Sequence, residues 1–303
     1  MATSSLLFDL NQLTDEQKTK FHTVYNHLKS ARASYLEYKY GLQEKTKIDS
    51  EEEENEWHYE LYRYLRARKW NIAHTIKSIQ DMIQWRIDNR VDLILDHLPT
   101  SPLIDRIRKG LPAANHGYTK AHLLLYIEKT GLMHVDYLLH QFTTDELIQN
   151  HIYLLEFNCQ LTRERSRQAG KHVENFALIY DLKGCKPDIR KTLHILKQLI
   201  YIDDNYYPER LGQMFVINPP LIFPAIWNLV KHWVDPVTKA KVNILKKGPD
   251  TSATLLQHID SDQLPSEYGG SCDSCPTSPD CIPVYDWSKD TRKVKEEQSS
   301  VAP

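Results

Sequence analysis

The sequence predicts an α/β protein in which a helical N-terminal lobe packs on a domain with a mostly parallel sheet. Two amphipathic segments lie side by side within residues 57–89. Beyond residue 120, short apolar runs alternate with helical patterns, and Gly or Pro punctuates the runs. Strands that alternate with helices imply parallel pairing through helical crossovers. The length of 303 residues suits one large domain with a smaller partner. We divide the chain into a helical lobe over 1–95, a sheet domain over 96–275 and a tail over 276–303.

The helices are read from apolar spacing and end signals. Leu13 to Lys29 repeats Phe21, Val24, Tyr25 and Leu28, with Thr14 as the cap and Gln17 as its capping-box partner. Asp49 to Glu56 is an acidic run and reads as an exposed connection. Helices follow over Trp57–Lys69 and Ile72–Asn89, the second burying Ile72, Ile76, Ile79, Ile83 and Trp85. Further on, Thr144–Thr162 opens on Thr144 with Asp145 and Glu146 in its first turn, and Pro187–Ile202 begins with Pro and turns Ile189, Leu193, Leu196 and Ile200 inward.

Strands are expected at His122–Glu128, Phe176–Leu182, Met214–Ile217 and Lys241–Leu245. Phe176, Leu178 and Tyr180 alternate along the second and share one face.

Composition excludes several classes. A net charge of -2 gives no global pull toward nucleic acid, so an anionic ligand needs a local basic cluster. The first residues lack a basic n-region, so no secretory signal is expected there. No apolar run reaches the ~18 residues that a membrane span needs. GxSxG, P-loop, GxGxxG and HExxH patterns are absent, so no enzyme activity is expected. Of five cysteines, Cys159 and Cys185 read as buried thiols. Cys272, Cys275 and Cys281 cluster, but no fourth Cys or His follows them, so a surface loop is expected and no metal site. The odd cysteine count favours a reducing compartment.

The segment LIFPAIWNLVKHWV, Leu221–Val234, carries the most information. Its Ile222, Phe223, Ile226, Trp227, Val230 and Trp233 leave almost no polar face, which only Asn228, Lys231 and His232 interrupt. Such a helix is a core helix or a lid that meets lipid. Next come Thr238, Lys239 and Lys241, a hydroxyl and two ammonium groups that suit a phosphate or simply a solvated helix end. Arg68 and Lys69 before Trp70, and Glu209 with Arg210 in YYPERLG, are two further charged turns.

These segments together form a pattern. LYRYLRARKWN with the helix ending in QWR resembles the N-terminal region of CRAL-TRIO proteins. YDLKG, YYPERLGQMFVINPP, DPVTKAKVNIL and LPSEYGG, in that order, resemble the lipid-binding domain of the fungal phosphatidylinositol/phosphatidylcholine transfer branch. The resemblance spans about Leu13 to Gly270. It implies an apolar lipid pocket closed by a gate helix over Ile222–Val234. It also implies a phosphoinositide headgroup held among Arg68, Lys69, Thr238 and Lys241, with Glu209 pairing the lysine.

The resemblance further implies phosphatidylinositol as the lipid ligand, with no cofactor. The chain would then be a non-enzymatic, monomeric carrier in the cytoplasm that touches membranes transiently and presents lipid to a lipid kinase; a lipid-sensing scaffold is the alternative. Phe176 and Leu178 stand where phosphatidylcholine-binding members carry Ser and Thr, which implies a second, more apolar ligand. Residues 116–122 lack the family's Asp-Gly-Arg-Pro turn.

Overall fold

The computed structural model describes residues 6–41, 50–97, 102–246, 248–273, 275 and 281–289. Three helices, α1 (Asp15–Tyr40), α2 (Glu51–Ala67) and α3 (Ile72–Asp88), build the N-terminal lobe. Phe21, Val24, Leu28, Leu61, Tyr64, Leu65 and Ile79 form its buried core. Thr14 and Gln17 make the expected capping box at the start of α1. The acidic run is not a loose connection, although Asp49 lies outside the described residues. Ser50 caps α2, and Glu51 to Glu54 fill its first turn, where negative charge meets the helix dipole. Glu53 bonds Lys39 and Tyr40, while Glu54 bonds Tyr25 and Arg32. The run is therefore ordered by basic and phenolic groups of α1, which a charge count cannot reveal.

The sheet has five strands in the order β1-β2-β3-β4-β5. They are β1 (Ala113–Tyr118), β2 (Leu124–Glu128), β3 (Phe176–Asp181), β4 (Leu211–Ile217) and β5 (Val242–Ile244). Strand β1 runs antiparallel to β2 and the remaining pairs are parallel. Helices α4 (Leu103–Gly110) and α5 (Val135–Gln141) flank the first hairpin. Helices α6 (Thr144–Ala169) and α7 (Leu193–Tyr206) lie beside β2 to β4 in the chain. Beyond β4 come α8 (Phe223–Val230), α9 (Pro236–Ala240) and α10 (Pro249–His258).

One sheet face, Leu125, Ile127, Ala177, Ile179, Phe215 and Ile217, packs against Leu255, Ile259, Leu264, Tyr268 and Ile282. On the other face, Leu124 and Phe176 pack with Ile152, Leu155 and Cys159 of α6, Ile202 of α7, and Tyr207. Ion pairs join lobe and domain. Glu174 accepts from Arg63 and Arg66, and Arg86 donates to Glu156 at 2.8 Å while Tyr207 donates to the same carboxylate at 2.6 Å.

Several sequence readings shift. Thr143, not Thr144, caps α6, through a capping box with Glu146. The Pro187 helix opens as a 3-10 turn, Pro187–Thr192, before α7 begins. Ile195 and Ile202 take the fully buried positions of α7, whereas Leu193, Leu196 and Ile200 stay half-buried. Cys185 is half-buried rather than buried. Strand β1 escaped the sequence reading because AANHGY carries no strand pattern; pairing with β2 makes it a strand. No helix among the described residues is long and apolar enough to cross a membrane.

Candidate functional site

The turn between α2 and α3 places Arg68 and Lys69. The α2 carbonyls of Leu65 and Arg66 accept from the amides of Trp70 and Lys69, the paired bonds of a Schellman end. Lys69 and Trp70 both take left-handed backbone, φ 51 and φ 59, where glycine is usual. Such conformations cost about 1–3 kcal/mol each and gather at functional sites. The Arg68 guanidinium donates to Ser78 Oγ at 2.9 Å and to the Asp204 carbonyl at 3.2 Å. It is thereby fixed between α3 and the C-terminal turn of α7.

Glu209 and Lys241 are brought together. Lys241 Nζ lies 3.3 Å from Glu209 Oε2, and both side chains are about one-fifth exposed, at 19% and 21%. Glu209 is itself left-handed, with φ 61. The Lys241 amide donates to the Thr238 carbonyl at 3.0 Å, so those two residues sit on one turn. Asp235 caps that turn through the amides of Val237 and Thr238.

Asp204 links the two halves. Burial, then Asp235 and Asp203, push its carboxyl up to about 7, against the pull of Arg68. Arg68, which donates to the Asp204 carbonyl, and the Asp235 cap thus both act on this acid. Sequence reading missed Asp204; its signal is the pair Asp203-Asp204 at the end of α7, beside YYPERLG. Asp203 also receives His151 at 2.7 Å, and although burial works against protonation, this carboxylate raises the His151 pKa. Glu128, on the sheet face of Tyr126 and Tyr180, is pushed up by burial.

The apolar side of the site has a distinctive burial profile. Phe176 is fully packed, at 5% exposure, among Leu124, Leu155, Ile202 and Tyr207. Leu178 and Tyr180, on the same face, are only half-buried, as is Met214 opposite Leu178 in β4. The helical part of LIFPAIWNLVKHWV is shorter than predicted, Phe223–Val230, with Lys231 to Val234 forming the turns that follow. Of its apolar residues only Val230 is buried; Ile222, Phe223, Ile226, Trp227 and Trp233 are half-buried and Leu229 is exposed. A core helix would bury most of these, so α8 is not a plain core helix. Phe223 and Trp227 stack on one another, and Lys197 of α7 lies 5.9 Å above the Trp233 ring.

A separate cavity of about 580 Å³ opens between the lobe and α6. Arg86, Arg163, Arg210, Glu60 and Glu156 line it, and such charge is unsuited to acyl chains.

No ligand follows the three cysteines in the chain, but the fold brings one from far upstream: His116 of β1 stands with Cys272, Cys275 and Cys281. All three cysteines are half-buried.

The chain thus combines a helical lobe, a mostly parallel sheet and a half-buried apolar helix beyond β4. The chain belongs to the CRAL/TRIO family: residues 108–270 match the CRAL/TRIO domain and residues 20–81 its N-terminal domain. The SEC14 cytosolic factor of Eremothecium gossypii is 34% identical over 217 residues, covering 70% of this chain and 69% of that protein. The Sec14 cytosolic factor of Schizosaccharomyces pombe is 32% identical over 221 residues, covering 71% of this chain and 75% of that protein. Phosphatidylinositol/phosphatidylcholine transfer protein SFH7 of Arabidopsis thaliana is 32% identical over 225 residues, 73% of this chain. The match spans only 40% of SFH7 and 32% of the Anopheles gambiae protein real-time. The crystal structure of Sfh5 shares the fold, with TM-score 0.64 and 20% identity over 97% of this chain and 99% of that one.

Proposed function

We propose that this protein binds and transfers phosphatidylinositol without catalysis. Two observations support the reading: Arg68, on a left-handed cation-bearing turn, is held by Ser78 and the Asp204 carbonyl, and Lys241 pairs with Glu209 on the turns that follow a half-buried apolar helix. Phosphate would accept charge-assisted hydrogen bonds from Arg68, Lys69, Lys241 and the Thr238 hydroxyl, each worth about 1.5–3 kcal/mol. The acyl chains would lie against Leu178, Tyr180 and Met214, beneath Ile222, Phe223, Ile226 and Trp227. Burying a chain methylene is worth about 0.8 kcal/mol in water, and the pocket offers what the bilayer already gives, so exchange is nearly balanced. The names of the fungal and plant relatives, which include a phosphatidylinositol/phosphatidylcholine transfer protein, agree with this reading.

In this proposal the gate contacts membrane during exchange, and the carrier is a monomer of the cytoplasm that offers phosphatidylinositol to a lipid kinase. The division into a lobe to residue 95, a lipid domain to 275 and a tail belongs to the same proposal. The second ligand is more apolar than phosphatidylcholine, because Leu178 gives its wall no hydrogen-bond donor. Native mass spectrometry of the purified protein tests the ligand directly. A bound mass that fragments to inositol phosphate is expected; lipid-free protein after incubation with phosphatidylinositol vesicles would overturn the proposal.

A further inference from the structure

We propose that His116, Cys272, Cys275 and Cys281 form a closed, structural zinc site. The four ligand atoms all lie within 4.8 Å of one another. In a tetrahedral site with Zn–S bonds of about 2.3 Å, neighbouring ligand atoms stand about 3.8 Å apart. Cys272 Sγ and Cys281 Sγ are 3.5 Å apart, close to that edge and far beyond the ~2.05 Å of a disulfide. The arrangement thus has metal-site dimensions before any ion enters.

The histidine is preset for the role. His116 is buried at 6% exposure, and its Nδ1 lies 3.1 Å from the Gln263 carbonyl. A carbonyl can only accept, so Nδ1 carries the proton and Nε2 keeps its lone pair. Zinc-bound histidines have this second hydrogen bond as a rule, since it fixes the tautomer and the ring. Local backbone supports the approach. The β1–β2 register breaks between Asn115 and Tyr118, which re-aims the strand at His116. Gly117 follows with φ 65, and a Cβ there would come within 2.9 Å of the same Gln263 carbonyl. Only glycine lets β1 come this close to the Gln263 turn.

Cys272 and Cys281 also adjoin well-packed backbone. The Cys272 amide donates to the Leu264 carbonyl at 3.2 Å, and its carbonyl accepts from Ser266 at 2.6 Å. Ile282, next to Cys281, is 1% exposed and packs in the sheet core with Leu264 and Tyr268. Four protein ligands leave no open position, which is the mark of a structural site rather than a catalytic one. Three thiolates and an imidazole select zinc over magnesium or calcium. The ion would fasten Cys272, Cys275 and Cys281 to edge strand β1, roughly 160 residues away in sequence.

The test is the metal content of the full chain, purified under reducing conditions without chelator. About one zinc per chain is expected by mass spectrometry of the elements, or after incubation with Zn²⁺ alone. Replacement of the zinc by Co²⁺ should give the visible ligand-field bands and sulfur charge-transfer absorption of a tetrahedral thiolate site. This readout uses the unmutated protein, so it does not depend on any variant folding. Cys275→Ser and His116→Ala should each lower zinc occupancy at least about fivefold at a fixed nanomolar free Zn²⁺. Three results would overturn the proposal: no zinc uptake by reduced protein, a stoichiometric Cys272–Cys281 disulfide in protein kept from air, or full occupancy by iron or copper instead.

Discussion

Glu209 reaches Lys241 across 3.3 Å from a left-handed backbone, φ 61, that a glutamate adopts at a cost. Were Glu209 only a turn residue, glycine would serve better there. Glu209→Gly should therefore leave the melting midpoint within about two degrees, as relief of strain offsets loss of the pair. Phosphatidylinositol transfer should fall several-fold, because Lys241 loses the partner that orients it. A large drop in midpoint with normal transfer would make Glu209 a structural residue.

Asp204 gives the site a pH dependence. Its carboxyl titrates near 7 in the folded chain, against 3.8 for an ordinary aspartate. Between those values the folded chain holds a proton that the unfolded chain has released. Stability from this group is thus full below about pH 4, declines as pH rises, and is gone above about 7. Asp204→Asn should be increasingly more stable than the parent from pH 4 to 7, with a constant gap above. The partial exposure of Asp204 screens the effect to about 1–2 kcal/mol. Protonation also removes a negative charge facing Arg68, among Asp203 and Asp235, so phosphatidylinositol binding should be tighter at pH 6 than at pH 8. Urea melts and vesicle extraction at both pH values check this; an unchanged gap would contradict it.

The gate prediction rests on Val230 being buried while its neighbours are not. Phe223→Asp with Trp227→Asp should fold normally yet bind vesicles poorly, as each charge costs up to a few kcal/mol at a lipid surface. Val230→Asp should instead destabilise the fold. Normal sedimentation of the double variant with vesicles would make α8 an ordinary surface helix.

The wall at Leu178 predicts weak phosphatidylcholine transfer. Phe176 is a core residue, and its truncation to Ser should cost about 3–5 kcal/mol, which confounds any gain of function there. Leu178→Thr is the clean change, because Leu178 is only half-buried. It should raise phosphatidylcholine transfer while leaving phosphatidylinositol transfer intact. Efficient transfer of phosphatidylcholine by the parent protein would contradict this account of the wall.

The sequence carried a good part of this structure, in places with clear physical limits. The continuous apolar runs at Phe176–Asp181 and Met214–Ile217 are strands because both faces are covered. Strand β1 owes its form to its partner, so periodicity could not show it. The Glu209–Lys241 contact joins residues 32 apart, and only the resemblance pointed to it. The Asp203-Asp204 pair is visible in the sequence, but the raised pKa of Asp204 is not, because burial, Asp235 and Arg68 act on it only in the fold. His116 was invisible for the same reason: a ligand that precedes its cysteines by roughly 160 residues forms no local motif.

The central claim is that Arg68 and Lys241 hold a phosphoinositide headgroup. Transfer of labelled phosphatidylinositol from donor to acceptor vesicles, measured for the Arg68→Ala, Lys241→Ala double variant, tests it most directly. Loss of two charge-assisted contacts should lower transfer at least about tenfold. The melting midpoint should stay within a few degrees, since neither side chain lies in the buried core. Transfer at the parent rate by the folded double variant would contradict the account.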